Sequence, residues 1–319
     1  MFSIAILDDY QGMATDIADW SSLTGRAEAV AFGEHLTDPD QLIDRLAPFE
    51  IVVAMRERTP LPRDVLARLP RLKLIVTTGM RNKSIDLAAA AELGITVSGT
   101  ALGGSSTVEL TWALIMAVVR DLPGEDRRTR DGRWQETVPI TLGGSTIGIL
   151  GLGRIGQGIA ALAKVFGMKV IAWSQNLTES VAAEHGAVLV QKDELFQRSD
   201  IVTIHTLLSH RTRGLVGAAE LELLGPDGYL VNTSRGPIVQ ENALVSALQD
   251  GRIAGAALDV FDVEPLPAGH PLLSTPRTIL SPHVGFVSRQ SYELAYGEAV
   301  QDIDGWLRGN PLRVLNGSD

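Results

Sequence analysis

Four stretches of this chain set chemically active side chains into patterned surroundings. The first is a glycine turn, Gly151-Leu-Gly153-Arg-Ile-Gly156. Glycines at this spacing let main-chain N–H groups at a helix start approach a pyrophosphate. The other three are Asn232-Thr-Ser-Arg235-Gly236-Pro, Asp259-Val-Phe-Asp-Val-Glu264-Pro265 and Ser281-Pro-His283-Val-Gly285. A guanidinium offers a fixed fork of donors that matches a carboxylate. An imidazole exchanges protons near neutral pH. Singly, an Arg before Gly reads as a surface residue, a Glu-Pro as a turn and a His after Pro as a loop histidine. The order and the setting of the whole set give it weight.

The elements that must position these residues are legible as alternating strands and helices. Short apolar runs occur at Ile4–Leu7, Ile51–Met55, Leu72–Val76 and Ile95–Val97, with helical patterns at Pro39–Leu46, Pro62–Leu69 and Ile85–Leu93 between them. Continuous apolar strands alternating with helices indicate a parallel sheet covered on both faces. A long helix is expected over Ser106–Arg120, stopped by Pro123, followed by a polar stretch, Gly124–Thr137, whose basic cluster reads as a solvated helix face. Six further strands follow: Ile147–Leu150, Val170–Trp173, Ile201–His205, Tyr229–Asn232, Ala256–Asp259 and Thr278–Leu280. That number suits a nucleotide-binding sheet. The fold class is therefore α/β, with two Rossmann-like domains. The expected boundaries are 1–98 plus 290–319 for a discontinuous substrate-binding domain and 99–289 for the dinucleotide-binding domain. The glycine turn follows one strand directly and opens a helix, and the Arg, Glu and His stretches lie at or past strand ends. In open α/β sheets that edge binds ligands.

Composition removes several classes of function. The chain has 319 residues, a net charge of −10 and no cysteine. An acidic protein is unsuited to binding nucleic acid through phosphate neutralisation. The lack of cysteine removes disulfides, thiolate metal sites and a thiol nucleophile, and no metal is expected. The start has no basic region before an apolar core. The longest greasy run, Leu110–Val119, is far short of the roughly 20 residues of a membrane span. A cytoplasmic protein is expected.

The glycine turn implies a nicotinamide dinucleotide. An acidic residue about 20 positions on would hold the ribose 2′-hydroxyl. Here the next strand ends in Trp173-Ser174-Gln175-Asn176, without a carboxylate and without a following Arg for a 2′-phosphate. NAD and NADP both stay open, with the balance toward NAD.

The stretch Val231–Gly285 resembles the D-isomer-specific 2-hydroxyacid dehydrogenases. It carries that family's N-x-x-R-G, D-V-x-x-x-E-P and P-H-x-x-G patterns in order, and the glycine turn and Asp200-Ile-Val-Thr-Ile-His205 match as well. The resemblance implies two Rossmann-like domains with a cleft between them, commonly in a homodimer built through the cofactor domain. It implies hydride transfer between NAD(P) and a small 2-hydroxy or 2-oxo acid. His283 would be the acid/base, Glu264 would orient it, and Arg235 would bind the substrate carboxylate and carbonyl. Asp259 would orient the nicotinamide carboxamide. Thr107, Arg154, Ile155, Ser174, Gln175, His205, Thr206, Thr233 and Gly285 would join the glycines in holding the cofactor.

The sequence departs from the family in the loop Gly79-Met80-Arg81-Asn82-Lys83-Ser84-Ile85-Asp86, where the family's substrate loop has a second glycine at the place of Arg81. The N–H groups of Met80 and Arg81 stay available for a carboxylate, although a positive φ would be costly for Arg. Arg81, with Arg56, would suit a substrate carrying a second anionic group. Leu207 replaces a proline and Phe286 a small residue. The chain ends at Asp319, so the expectation is an enzyme without a C-terminal sensor module. The alternative is a dinucleotide-sensing, corepressor-like binding protein of the same fold. The intact Arg235, Glu264 and His283 favour the enzyme.

Overall fold

Strands such as Ile-Val-Val-Ala and Leu-Ile-Val-Thr are buried at every position, which requires cover on both faces of the sheet. The computed structural model describes residues 1–103 and 105–317. They fall into two units, Met1–Gly104 with Phe286–Asp319, and Ser105–Gly285. Gly99 thus ends a strand of the first unit, and Phe286 joins the first unit's core.

The first unit has five parallel strands: β1 (Phe2–Ile6), β2 (Ala27–Ala31), β3 (Ile51–Ala54), β4 (Leu74–Thr77) and β5 (Thr96–Gly99), in the order β2-β1-β3-β4-β5. Successive residues alternate between faces. Ala5, Val52 and Ile75 pack with Leu42, Leu46 and Leu66 on one side. Ile4, Ile51 and Leu74 pack on the other with Tyr292, Tyr296, Ala299 and Ile303 of the helix Arg289–Leu307. β2 was not expected: its Ala-Glu-Ala-Val-Ala sequence is a weak strand former, and only pairing with β1 makes it an edge strand.

Asp302 of that last helix is fully buried and lies 2.9 Å from Arg313. Burial raises its pKa from 3.8 to about 6, outweighing the attraction of Arg313. The folded state therefore holds this proton more tightly than the unfolded chain. Its effect on stability is most favourable below pH 4 and is lost as pH rises to about 6. At ~1.4 kcal/mol per pH unit the loss is on the order of 3 kcal/mol. The difference in melting temperature between wild type and Asp302→Asn, measured from pH 4 to pH 7, is expected to change through that window in favour of the variant. A pH-independent difference would contradict the assignment.

The second unit has seven parallel strands: β6 (Thr146–Leu150), β7 (Lys169–Trp173), β8 (Val188–Leu189), β9 (Ile201–Ile204), β10 (Tyr229–Asn232), β11 (Gly255–Leu258) and β12 (Thr278–Leu280). Their order is β12-β11-β10-β9-β6-β7-β8. Six strands were expected; the two-residue β8 is the addition, too short to leave a periodic trace. The chain reverses direction across the sheet between β6 and β9, the switch point at which such sheets open a crevice.

The helix Ser106–Arg120 forms as expected. The basic stretch after it is helical too, but that helix begins before Pro123 and not after it. Asp121 takes a left-handed φ of 45°, and a second helix, Leu122–Arg130, starts at once with Pro123 in its first turn. Proline is favoured there because that N–H has no partner in any helix. Two of the three arginines of this helix are ion-paired, Arg128 with Asp121 and Glu125, and Arg130 with Asp126. Among the described residues no helix is long and apolar enough to cross a membrane.

Candidate functional site

Because the second sheet is wholly parallel, every segment that leaves the carboxyl end of a strand emerges at one edge. Gly151 follows β6, Ser174 follows β7, His205 follows β9, Thr233–Arg235 follow β10, Asp259 follows β11 and His283 lies just past β12.

Gly151 has φ 106°, and a Cβ there would lie 2.7 Å from the Thr206 nitrogen. Glycine is required where the turn runs against the backbone leaving β9. A Cβ on Gly156 would run into the Gly151 carbonyl, whereas one on Gly153 would meet nothing within 4 Å. Two glycines are thus needed for the chain to pack on itself, and the third faces open space. The helix Arg154–Val165 begins at Gly153 with no side chain capping its N–H groups. Open space above uncapped donors at the positive end of a helix fits a pyrophosphate. Ser174 is half-buried and Gln175 exposed at the end of β7.

His205 Nε2 lies 2.8 Å from Thr203 Oγ1, and its buried Nδ1 has no partner among the described residues. Burial drops its pKa to about 3, so the ring is neutral in the physiological range. It is not a proton donor at neutral pH. Thr233 turns its hydroxyl to Thr111, 2.8 Å away, and Thr111 donates to the Thr107 carbonyl.

The loops carrying Arg235 and Glu264 are locked together. Asn232 holds the Arg235 loop, donating to its carbonyl at 3.0 Å and accepting from Ser234 N–H at 3.0 Å, while Ser234 Oγ donates to the Thr206 carbonyl at 2.5 Å. At Gly236 a Cβ would overlap the Phe261 carbonyl group, so the two loops touch backbone to backbone. Glu264 Oε1 accepts from Phe261 N–H at 2.9 Å, and Glu264 Oε2 lies 2.5 Å from His283 Nδ1. Burial pushes the Glu264 pKa up, but the His283 hydrogen bond and charge, the Phe261 N–H and the Arg235 charge together hold it below the ordinary carboxylate value.

The His283 segment is fixed from beneath by Asp259. This buried carboxylate accepts from Ser281 Oγ (2.5 Å) and Val284 N–H (2.9 Å) on one oxygen and from Gly285 N–H (2.8 Å) on the other. Burial raises its pKa despite these bonds. Ser106 Oγ donates to the Gly285 carbonyl at 2.9 Å. Between these anchors His283 takes a left-handed φ of 53°. Such a conformation costs on the order of 1–2 kcal/mol in a non-glycine residue and persists only where its surroundings impose it. The anchoring by Asp259 could not be read from sequence, which offered Asp259 only as a cofactor contact.

The remaining expected residues lie in the first unit. Arg56 has φ 52°, and its guanidinium would stand 3.1 Å from a Cβ on Gly79. Met80 is 48% exposed and Arg81 is exposed. Arg81 does not take a positive φ, so replacement of the family's second glycine brings no strain there; the left-handed residue is Arg56. Phe286 is buried and touched by two guanidiniums, Arg56 at 5.6 Å and Arg58 at 5.3 Å from its ring centre. Arg58, which sequence reasoning passed over, also covers Tyr10 at 4.6 Å. Among the described residues no group of His, Asp and Glu side chains is placed to hold a metal ion.

A family model described as the D-isomer-specific 2-hydroxyacid dehydrogenase NAD-binding domain matches residues 112–285. The chain is 39% identical over 264 residues to a glyoxylate reductase from Aeropyrum pernix, covering 79% of each chain. It is 29% identical over 323 residues to a hydroxypyruvate reductase from Blautia hydrogenotrophica, covering 98% of this chain and 99% of that one. The crystal structure of a phosphoglycerate oxidoreductase from Vibrio cholerae is 37% identical and superposes with a TM-score of 0.91, over 97% of this chain and all of that one.

Proposed function

The chain belongs to the D-isomer-specific 2-hydroxyacid dehydrogenase family, and we propose that it reduces a small 2-oxo acid to the D-2-hydroxy acid, or runs the reverse oxidation, with His283 as the acid/base. The observation that carries this reading is the 2.5 Å contact between His283 Nδ1 and Glu264, whose loop is locked backbone to backbone against the loop of Arg235.

A bound nicotinamide supplies the hydride donor or acceptor. Gly151, Gly153 and Gly156, with the N–H groups of Arg154 and Ile155, would hold its pyrophosphate. The same edge supplies Thr107, Ser174, Gln175, His205, Thr206, Thr233, Asp259 and Gly285. The strand end after β7 has no carboxylate, and the half-buried Ser174 is small and neutral. The reading keeps NAD ahead of NADP because no Arg or Lys directly follows Ser174.

Arg235 binds the substrate carboxylate and polarises the carbonyl oxygen. His283 donates a proton to that oxygen from Nε2 during reduction and takes it back during oxidation. Glu264 holds Nδ1 and fixes the ring. Met80, Arg56 and Arg81 are the residues of the first unit that would recognise the substrate, with the two guanidiniums suiting a second anionic group.

Glu264→Gln tests the dyad. The amide can still meet the ring but carries no charge to balance the proton that His283 exchanges. kcat for reduction is expected to fall by roughly tenfold or more, with the coenzyme KM within about twofold. A kcat equal to wild type would remove Glu264 from the mechanism.

A homodimer is part of this reading. Trp134 and Val138, at 75% and 99% exposure, follow the helix Leu122–Arg130 in sequence and are the side chains offered here for the contact between copies. Sedimentation velocity should give a dimer for wild type and a shift toward monomer for Trp134→Glu; an unchanged distribution would exclude this contact.

A further inference from the structure

We propose that Asp8, His35 and Thr59 form a clamp that positions the Arg56–Arg58 loop, and so sets the preference for substrates with a second anionic group. The inference rests on reading Arg56 as a substrate residue, as above. The three residues come from three different segments at the carboxyl edge of the first sheet: Asp8 after β1, His35 after β2 and Thr59 after β3.

Asp8 is 2% exposed and takes a left-handed φ of 57°. His35 Nδ1 lies 2.9 Å from Asp8 Oδ1, and both side chains are buried. A carboxylate is an acceptor only, so this ring nitrogen carries the proton. Thr59 donates its hydroxyl to Asp8 Oδ2 at 2.7 Å. Arg58 Nη1 donates to the Asp8 carbonyl at 3.2 Å. A buried carboxylate is tolerated only when it is paired and hydrogen-bonded, and here all its partners come from other segments. The next residue, Asp9, faces the opposite way and accepts from Met13 and Ala14 N–H groups.

The consequence falls on the loop after β3. Near its start, Arg56 is tied by its N–H to Thr78 Oγ1 (3.0 Å), and the Arg56 carbonyl accepts from Asn82 Nδ2 (2.5 Å). Its last two residues, Arg58 and Thr59, are tied to Asp8. The loop is thus pinned at both ends, and each of its two guanidiniums stands against the Phe286 ring, at 5.6 and 5.3 Å from its centre. A guanidinium whose loop is fixed in this way presents a fork suited to a carboxylate or a phosphate. His35 and Asp8 touch neither cofactor nor reacting atoms in this account. They are positioning residues.

The test compares kcat/KM for glyoxylate, which has one anionic group, with that for 2-oxoglutarate (second carboxylate) and 3-phosphohydroxypyruvate (phosphate), in wild type, His35→Ala, His35→Asn and Arg56→Ala. Wild type should prefer one of the dianions, and which one identifies the second group. His35→Ala should raise KM for that dianion about tenfold, with glyoxylate turnover and the coenzyme KM within about twofold. His35→Asn, whose amide N–H can reach Asp8, should restore most of the loss. An unchanged dianion KM in folded His35→Ala, or parallel losses on all three substrates, would overturn the clamp. If Arg56→Ala leaves dianion kinetics intact, the substrate role of the loop fails instead. The clamp is then judged by hydrogen exchange at residues 56–59: faster exchange in His35→Ala sustains it, and unchanged exchange overturns it.

Discussion

Replacing His283 with alanine is expected to lower kcat for reduction of a 2-oxo acid by about 10²–10⁴-fold, the usual contribution of a positioned general acid. Coenzyme affinity should stay within a few-fold. The two effects separate because the glycine turn after β6 and the imidazole past β12 stand on strands at different places in the sheet. His283 also makes its contact with Glu264 from a left-handed backbone that Asp259 and Ser106 anchor through the neighbouring residues, not through the ring. Removing the ring therefore leaves the loop's anchors in place. Steady-state turnover and a fluorescence titration with NADH on the same preparation make the comparison. Coenzyme affinity falling in step with turnover would indicate a structural role.

The second large effect is expected at Arg235. Removing a guanidinium that pairs with a desolvated carboxylate costs about 2–5 kcal/mol, or roughly 30-fold to several thousand-fold in kcat/KM. Arg235→Ala should raise the KM for the 2-oxo acid and also lower kcat, because the same group polarises the carbonyl. Arg235→Lys should recover little, since a point charge cannot reproduce a planar fork. The loop itself is held by Asn232, Ser234 and Gly236, so the variant should fold. A rise in the coenzyme KM with the oxo-acid KM unchanged would contradict this role.

Much of this architecture could be read from residues near one another in sequence. The glycine turn was legible because its spacing, the preceding strand and the following helix all lie within Thr146–Val165. Arg235, Glu264 and His283 were legible as strand-end residues because buried parallel strands leave unbroken Val, Ile, Leu and Ala runs. What escaped depends on contacts between distant segments. β2 is a strand only because β1 supplies its partners. The start of the helix Leu122–Arg130 was misplaced because Pro123, which lies in its first turn, was read only as a stop. Asp259 looks like any strand-end acid until the chain returns 22 to 26 residues later and places Ser281, Val284 and Gly285 on its oxygens. His35 gave no pattern at all, since its partner Asp8 lies 27 residues away on a neighbouring strand end.

The most direct test of the central claim is the product formed by the wild-type protein. With NADH or NADPH supplied to glyoxylate, hydroxypyruvate and pyruvate in turn, coenzyme oxidation should be seen with at least one, and the chiral products should be the D-isomers. Tight coenzyme binding with no turnover on any of them, or formation of the L-isomer, would contradict the account.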